Sequence, residues 1–285
     1  MAQQIPTMQE RAYTKEELER LHSTLYEILG EIDRVCRENG ITYFVIGGTA
    51  IGVHFWEGII PWDDDIDIGM TRANYERFMK IAPRKLNKSY FLQSQDTEPH
   101  LPYFFAKVRK NGTMFSESVY KELDIHQGIF IDIFPFDNYA PWPFADRLQY
   151  KMMHYMTEVL ACKEVWQFTH FGNCTAEQPL HRGYASCLLA RILCSCLSKR
   201  SIFAMVKAIQ TMFNPFRSSE WKNAICLNEH LPKADADSPD IRTFGPLKVP
   251  VPRNLVKYLT NHYGKIQKDY PVEKRVTHRP ARLSF

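Results

Sequence analysis

The chain has 285 residues, of which 45 % are hydrophobic and 24 % charged, a balance that permits a sizeable folded core and excludes extended disorder. Its formal net charge of +4 includes no long Lys/Arg run, which excludes nucleic acid as the expected partner and suits small anionic substrates. Seven scattered cysteines, without zinc-finger or Cys-x-x-Cys spacing, read as reduced, buried thiols of a cytoplasmic protein.

The first residues contain no apolar stretch of the signal-peptide type, and no apolar run approaches the ~18–20 residues that cross a bilayer. The expected site of action is therefore cytoplasmic, with the inner face of a membrane as a candidate place of work. Residues 15–39 carry Leu18, Leu21, Leu25, Ile28, Leu29, Ile32 and Val35 at helical spacing, with Thr14 and Glu17 as a capping box and Gly40 as a stop. Residues 41–46 read as a buried strand, 49–56 as a short helix, 65–70 as a strand and 72–82 as a helix ended by Pro83. Two strands follow near 103–109 and 113–118, with Asn111-Gly112 as a hairpin signal between them. Residues 128–134 form one more apolar strand. After Pro135 the pattern predicts helices at 144–162, 184–213 and 252–263, with an irregular stretch at 214–246. The alternation predicts a mixed α/β (α+β) sheet in a catalytic core over residues 1–142 and a mainly helical part over 143–285.

The chemistry concentrates in residues 45–70, where Asp63, Asp64 and Asp65 precede Asp67. Side chains at i and i+2 of a strand share a face, so Asp65 and Asp67 point the same way, about 7 Å apart. Ile66 and Ile68 interleave them and anchor the strand in the core. Crowded like charges on such a strand need a cation, and hard oxygen ligands suit Mg²⁺, one ion or two, or Mn²⁺ in its place. A calcium-binding EF-hand loop is excluded, because Ile68 and Asn74 stand where its Gly and Glu would be. Asp132, a lone acid among Phe130, Ile131, Ile133 and Phe134, is the natural third ligand. Gly47-Gly48-Thr49 joins a strand to a helix, a turn that lets backbone N–H groups approach a phosphate. Lys107 and Arg109 share a strand face and offer a cationic contact for phosphate.

Three segments carry a resemblance to a known family: GGTAIGVHFWEGIIPWDDDIDIGMTRANYERF, then FFAKVRKNGTMFSE leading to GIFIDIFPFDN, and FGPLKVPVPRNLVKYLTNHYGK near the end. In these the chain resembles the LicD family of the nucleotidyltransferase superfamily. The resemblance implies a palm-like mixed sheet flanked by helices. It assigns the metal and catalysis to Asp65, Asp67 and Asp132, and the phosphates to Gly47, Gly48 and Thr49. It also implies a CDP-alcohol donor, phosphocholine transfer to a hydroxyl of lipopolysaccharide, teichoic acid or capsule, and release of CMP. His54 stands where members of the family often carry Arg. A choline group calls for an aromatic cage, for which Trp56, Trp62, Tyr103 and Trp142 are candidates. The rival readings are transfer of a nucleoside monophosphate from an NTP to a small molecule, and a non-catalytic glycan-binding protein on the same fold. The basic, amphipathic stretch 184–213 is a candidate for peripheral membrane contact.

Overall fold

A computed structural model describes residues 13–140, 142–164, 192–268, 271 and 280–285. Helix α1 (Lys15–Glu38) begins on the expected capping box: Thr14 accepts from the Glu17 backbone, and Glu17 accepts from that of Thr14. Its stripe of Leu21, Leu25, Ile28, Leu29, Ile32 and Val35 is fully buried against the sheet, each side chain contributing about 1.5–3 kcal/mol by leaving water.

The main sheet has seven strands. In space the central order is β1 (Phe44–Val45), β2 (Asp67–Thr71), β6 (Phe130–Asn138), β4 (Ala106–Lys110) and β3 (Tyr90–Gln93). β2 and β6 run parallel while the other pairs are antiparallel, so the sheet is mixed as expected. Helices α2 (Gly47–Trp56) and α3 (Arg72–Lys85) follow β1 and β2. Pro83 lies inside the last turn of α3 rather than stopping it. Helix α4 (Pro143–Glu164) packs on α5 (Lys199–Thr211) through Met153, Met156, Val159, Leu160, Ile202, Val206 and Ile209, a second apolar cluster.

The expected 103–118 hairpin does not form. Gly112 makes its turn at φ +76°, but β4 pairs with β3 and β6, and β5 (Met114–Ser116) pairs with β11 (Arg282–Ser284). The stretch expected to be irregular holds β7 (Glu220–Lys222), β8 (His230–Pro232), the short helix α6 (Lys233–Asp237) and β9 (Asp240–Phe244). β9 pairs with β10 (Leu247–Val251), and helix α7 (Leu255–Tyr263) follows. The part after residue 142 is therefore mixed, not mainly helical, and β7 extends the main sheet by pairing with the end of β6. Three-residue strands have no periodicity of their own; their pairing partner makes them. Of the helix expected at 184–213, residues 184–191 lie outside the described residues, and the rest divides where Ser198 caps α5 by accepting from Ser201.

Arg72 holds Asp137, at the end of β6, in a two-pronged pair at 3.0 and 2.5 Å, and Asn214 adds a bond at 2.7 Å. Asp137→Ala is expected to destabilise the fold by about 3–5 kcal/mol, because it strands a partly buried guanidinium. The urea-unfolding midpoint measures this, and an unchanged midpoint would contradict it.

Candidate active site

The registers across the sheet set Asp67 beside Asp132 and Asp132 beside Lys107, in one row over β2, β6 and β4. Neighbouring strands lie about 4.8 Å apart, so these side chains meet without intervening residues. Lys107 Nζ is 3.2 Å from Asp132 Oδ1 and 3.3 Å from Glu117, and it lies 3.4 Å from the centre of the Phe130 ring. Asp132 Oδ1 is buried and makes no hydrogen bond, in spite of the nearby ammonium.

Burial pushes the Asp132 carboxyl up to about 7, against the pull of Lys107 and with the help of Glu117 and Asp65. Burial also holds Asp67 well above the usual carboxylate range, and the charges of Asp65, Asp132, Glu229 and Asp63 add to it. Upstream, Asp63, Asp64 and Asp65 bring one carboxylate oxygen each within 4.8 Å of the others. Tyr13 donates to Asp64 at 2.9 Å, and His22 bonds the Asp63 carbonyl at 2.8 Å. A buried, under-bonded carboxylate oxygen among mutually repelling acids fits a divalent cation with hard oxygen ligands.

The glycine turn abuts these acids. A Cβ on Gly47 would stand 3.3 Å from Asp67 Oδ2, and one on Gly48 only 2.9 Å from Asp63 Oδ2. Gly47 also has φ +56°, where an L side chain is strained. Thr49 Oγ1 accepts from the Asp67 backbone at 2.8 Å and so ties the turn to β2. The Gly47 N–H does not face a phosphate: it donates to Tyr258 Oη at 3.0 Å. Tyr258 in turn donates to Glu229 at 2.8 Å, and Asn223 donates to the other Glu229 oxygen at 2.7 Å. Helix α2 starts with no side-chain cap.

Arg109 lies 1 % exposed, with its guanidinium bonded to Gln93, the Gly128 carbonyl and Tyr103. It braces Tyr103 instead of presenting a free fork to a phosphate. Trp62 is half-buried and meets Trp56 edge-to-face at 5.5 Å. A cavity of about 250 Å³ beside the acids is lined by Asp65, Asp132, Lys107, Tyr103, Tyr120 and Phe130 among others. Of the four aromatic cage candidates, only Tyr103 is among the described residues that line it. His54 opens instead on a cavity shared with Arg242 and Arg253, whose lining includes none of the site acids.

Residues 40–167 match the family described as LicD/FKTN/FKRP, nucleotidyltransferase domain. These residues carry the likeness to a LicD/FKTN/FKRP nucleotidyltransferase domain. Over 144 residues the chain is 28 % identical to a Haemophilus influenzae protein named lipopolysaccharide cholinephosphotransferase LicD, covering 49 % of this chain and 52 % of that one. Uncharacterized proteins of Rickettsia typhi and Rickettsia prowazekii share 34 % and 33 % identity over 61 residues, or 21 % of this chain and 20 % and 23 % of theirs. The chain thus spans about half the length of the Haemophilus relative and less of the other two. The LicD-matched stretch holds the glycine turn and the acids. Glu229, Tyr258 and Tyr263 come from outside it. Sequence reasoning missed Glu229 and Tyr258 as site residues. The only signal for Tyr258 was the family likeness of the final segment, Glu229 lies outside that segment, and nothing local ties a helix tyrosine to a turn 211 residues away.

Proposed function

We propose that this chain transfers a phosphorylated alcohol, phosphocholine foremost, from its CDP carrier to a hydroxyl of a cell-surface glycan and releases CMP. What supports this reading most is the row of Asp67, Asp132 and Lys107 beside the Gly47–Thr49 turn, in the LicD-matched stretch. Asp65, Asp67 and Asp132 would hold Mg²⁺, with Asp63 and Asp64 next to them in the chain. A divalent ion there supplies charge neutralisation to the donor's pyrophosphate.

The chain's own groups do the rest. Gly48 and Thr49 present the open N–H groups of the α2 start to phosphate oxygens. Lys107 contributes a fixed positive charge next to the reacting phosphorus. The acceptor oxygen forms a bond to the phosphorus bearing the alcohol, the bond from that phosphorus to the CMP oxygen breaks, and the acceptor proton passes to Asp132. The ring faces of Tyr103 and Tyr120, in a cavity with more acids than bases, suit a trimethylammonium group. The acceptor is met on the cytoplasmic side.

A thermal-shift series with Mg²⁺, with CDP-choline and with both tests the reading. The combination is expected to raise Tm by about 5 °C or more at a hundredfold excess over Kd, with neither component sufficient alone. CDP-ethanolamine, CDP-ribitol and CDP-glycerol rank the alcohol. Pyrophosphate release from CTP, in place of CMP release from CDP-choline, would select nucleotidyl transfer to a small molecule. Mg²⁺ binding without turnover of any donor would select a binding protein.

A further inference from the structure

We infer that the start of α4 and the end of α5 form a docking surface for an anionic lipid bilayer. Trp142, Phe144, Leu148, Met212 and Phe216 are 51, 70, 52, 37 and 47 % exposed. Trp142, Phe144 and Phe216 are one patch, not scattered residues: the Trp142 ring lies 6.1 Å from that of Phe144 and 6.3 Å from that of Phe216. Single exposed apolar residues are ordinary, whereas contiguous ones rimmed by charge mark interaction sites.

The base beneath the patch is firm. Phe213 packs in a buried cluster with Ala140 and Ala145. Asn138 donates to the carbonyls of Asn214 and Phe216 at 3.1 and 2.9 Å, and Gln149 on α4 donates to Ile209 on α5 at 2.8 Å. The rings therefore project from a held loop.

The exposed charges carried by the two segments of the patch are cations. In 142–151 and 205–219 the exposed charged side chains are Arg147, Lys151, Lys207 and Arg217. Lys207 pairs with Glu76, while the other three have no ion pair among the described residues. The one acid of these stretches, Asp146, is buried against Lys222 at 2.8 Å. Aromatic rings amid unopposed cations match a headgroup layer with negative surface potential, where Trp and Phe settle at the interface and Lys and Arg meet lipid phosphates. No described helix is long and apolar enough to cross a membrane, so the contact is peripheral.

β6 links the site to that surface. It runs from Asp132 among the acids to Asn138 beside the patch, about 20 Å at the usual rise per residue. A bilayer on the patch would leave the acids at the reach of a sugar chain standing on a lipid, a consequence that rests on the function proposed above.

The test is co-sedimentation of the full chain with vesicles of phosphatidylcholine alone and of phosphatidylcholine mixed with phosphatidylglycerol. It needs no donor, so its outcome is separate from that of the transfer assay. Binding is expected to be roughly tenfold or more stronger on the anionic vesicles and to weaken with salt. Phe144→Glu should reduce it about tenfold, and Arg147→Glu with Arg217→Glu should remove the anionic preference. Val256→Glu, at an exposed position on α7, should leave binding unchanged and serves as the folded control. Absence of vesicle binding, equal binding by Phe144→Glu, or a dimer in solution that Phe144→Glu dissociates would each overturn the inference.

Discussion

Asp67→Asn is expected to lower kcat by about three orders of magnitude and, in the metal-free protein, to raise Tm by a few degrees. The two effects have opposite signs for one reason. The carboxylate is held in an enclosed site among Asp63, Asp65, Asp132 and Glu229, so its charge opposes folding. That same charge is the hard ligand that the proposed reaction requires. Strain kept at a functional site in this way is released by neutralising it, at the cost of function. A variant that loses activity together with stability would instead make Asp67 a structural residue.

The pH dependence follows from Asp132. Its carboxyl is pushed up from 3.8 to about 7, so the folded state holds the proton more tightly than the unfolded chain. The resulting stabilisation is complete below about pH 4 and is lost as pH rises through about 7. Mg²⁺ requires the deprotonated acid, so the rise in Tm that Mg²⁺ produces should grow over the same window. Melting curves at several pH values, with and without Mg²⁺, check this. Asp132→Asn should flatten both trends, and a Mg²⁺ effect independent of pH would contradict the assignment.

Tyr258→Phe is the second large effect. The hydroxyl accepts from Gly47 and donates to Glu229, and all three residues are buried. Burial and the Glu229 charge push the phenol pKa upward, so it keeps its proton and remains a donor. Removing the hydroxyl leaves an N–H and a carboxylate each short of a partner, costing about 1–3 kcal/mol of stability. It also frees the turn that shapes the phosphate contact. KM for the CDP donor should rise about tenfold, with kcat changing less. Hydrogen exchange at the amides of 47–49 should speed up in parallel. Loss of stability with an unchanged KM would restrict Tyr258 to a structural role.

Much of this was legible along the chain. The α1 stripe and the apolar run around Asp132 form close to where they lie along the chain, whereas the strand expected at 65–70 begins only at Asp67 and leaves Asp65 in the irregular stretch before it. The Gly47–Thr49 turn was legible as a break between strand and helix. Its place against Asp67 depends on β1 and β2 pairing antiparallel, with Val45 opposite Ile68. Arg109 misled because a strand position tells which neighbours share its face but not whether a Gln93 and a carbonyl wait there. β7 and β8 misled because three residues are too few for a pattern.

Read alone, the residues determined the helices with a full apolar face, the identity of the acids and the glycine bend, since each is written in spacing over a few positions. Only the tertiary structure decided that Asp67, Asp132 and Lys107 form one row, that Tyr258, held by Glu229, bonds Gly47, and that aromatic rings gather at the ends of α4 and α5. Those facts are set by backbone pairing and packing between segments tens to hundreds of residues apart, which no local periodicity encodes.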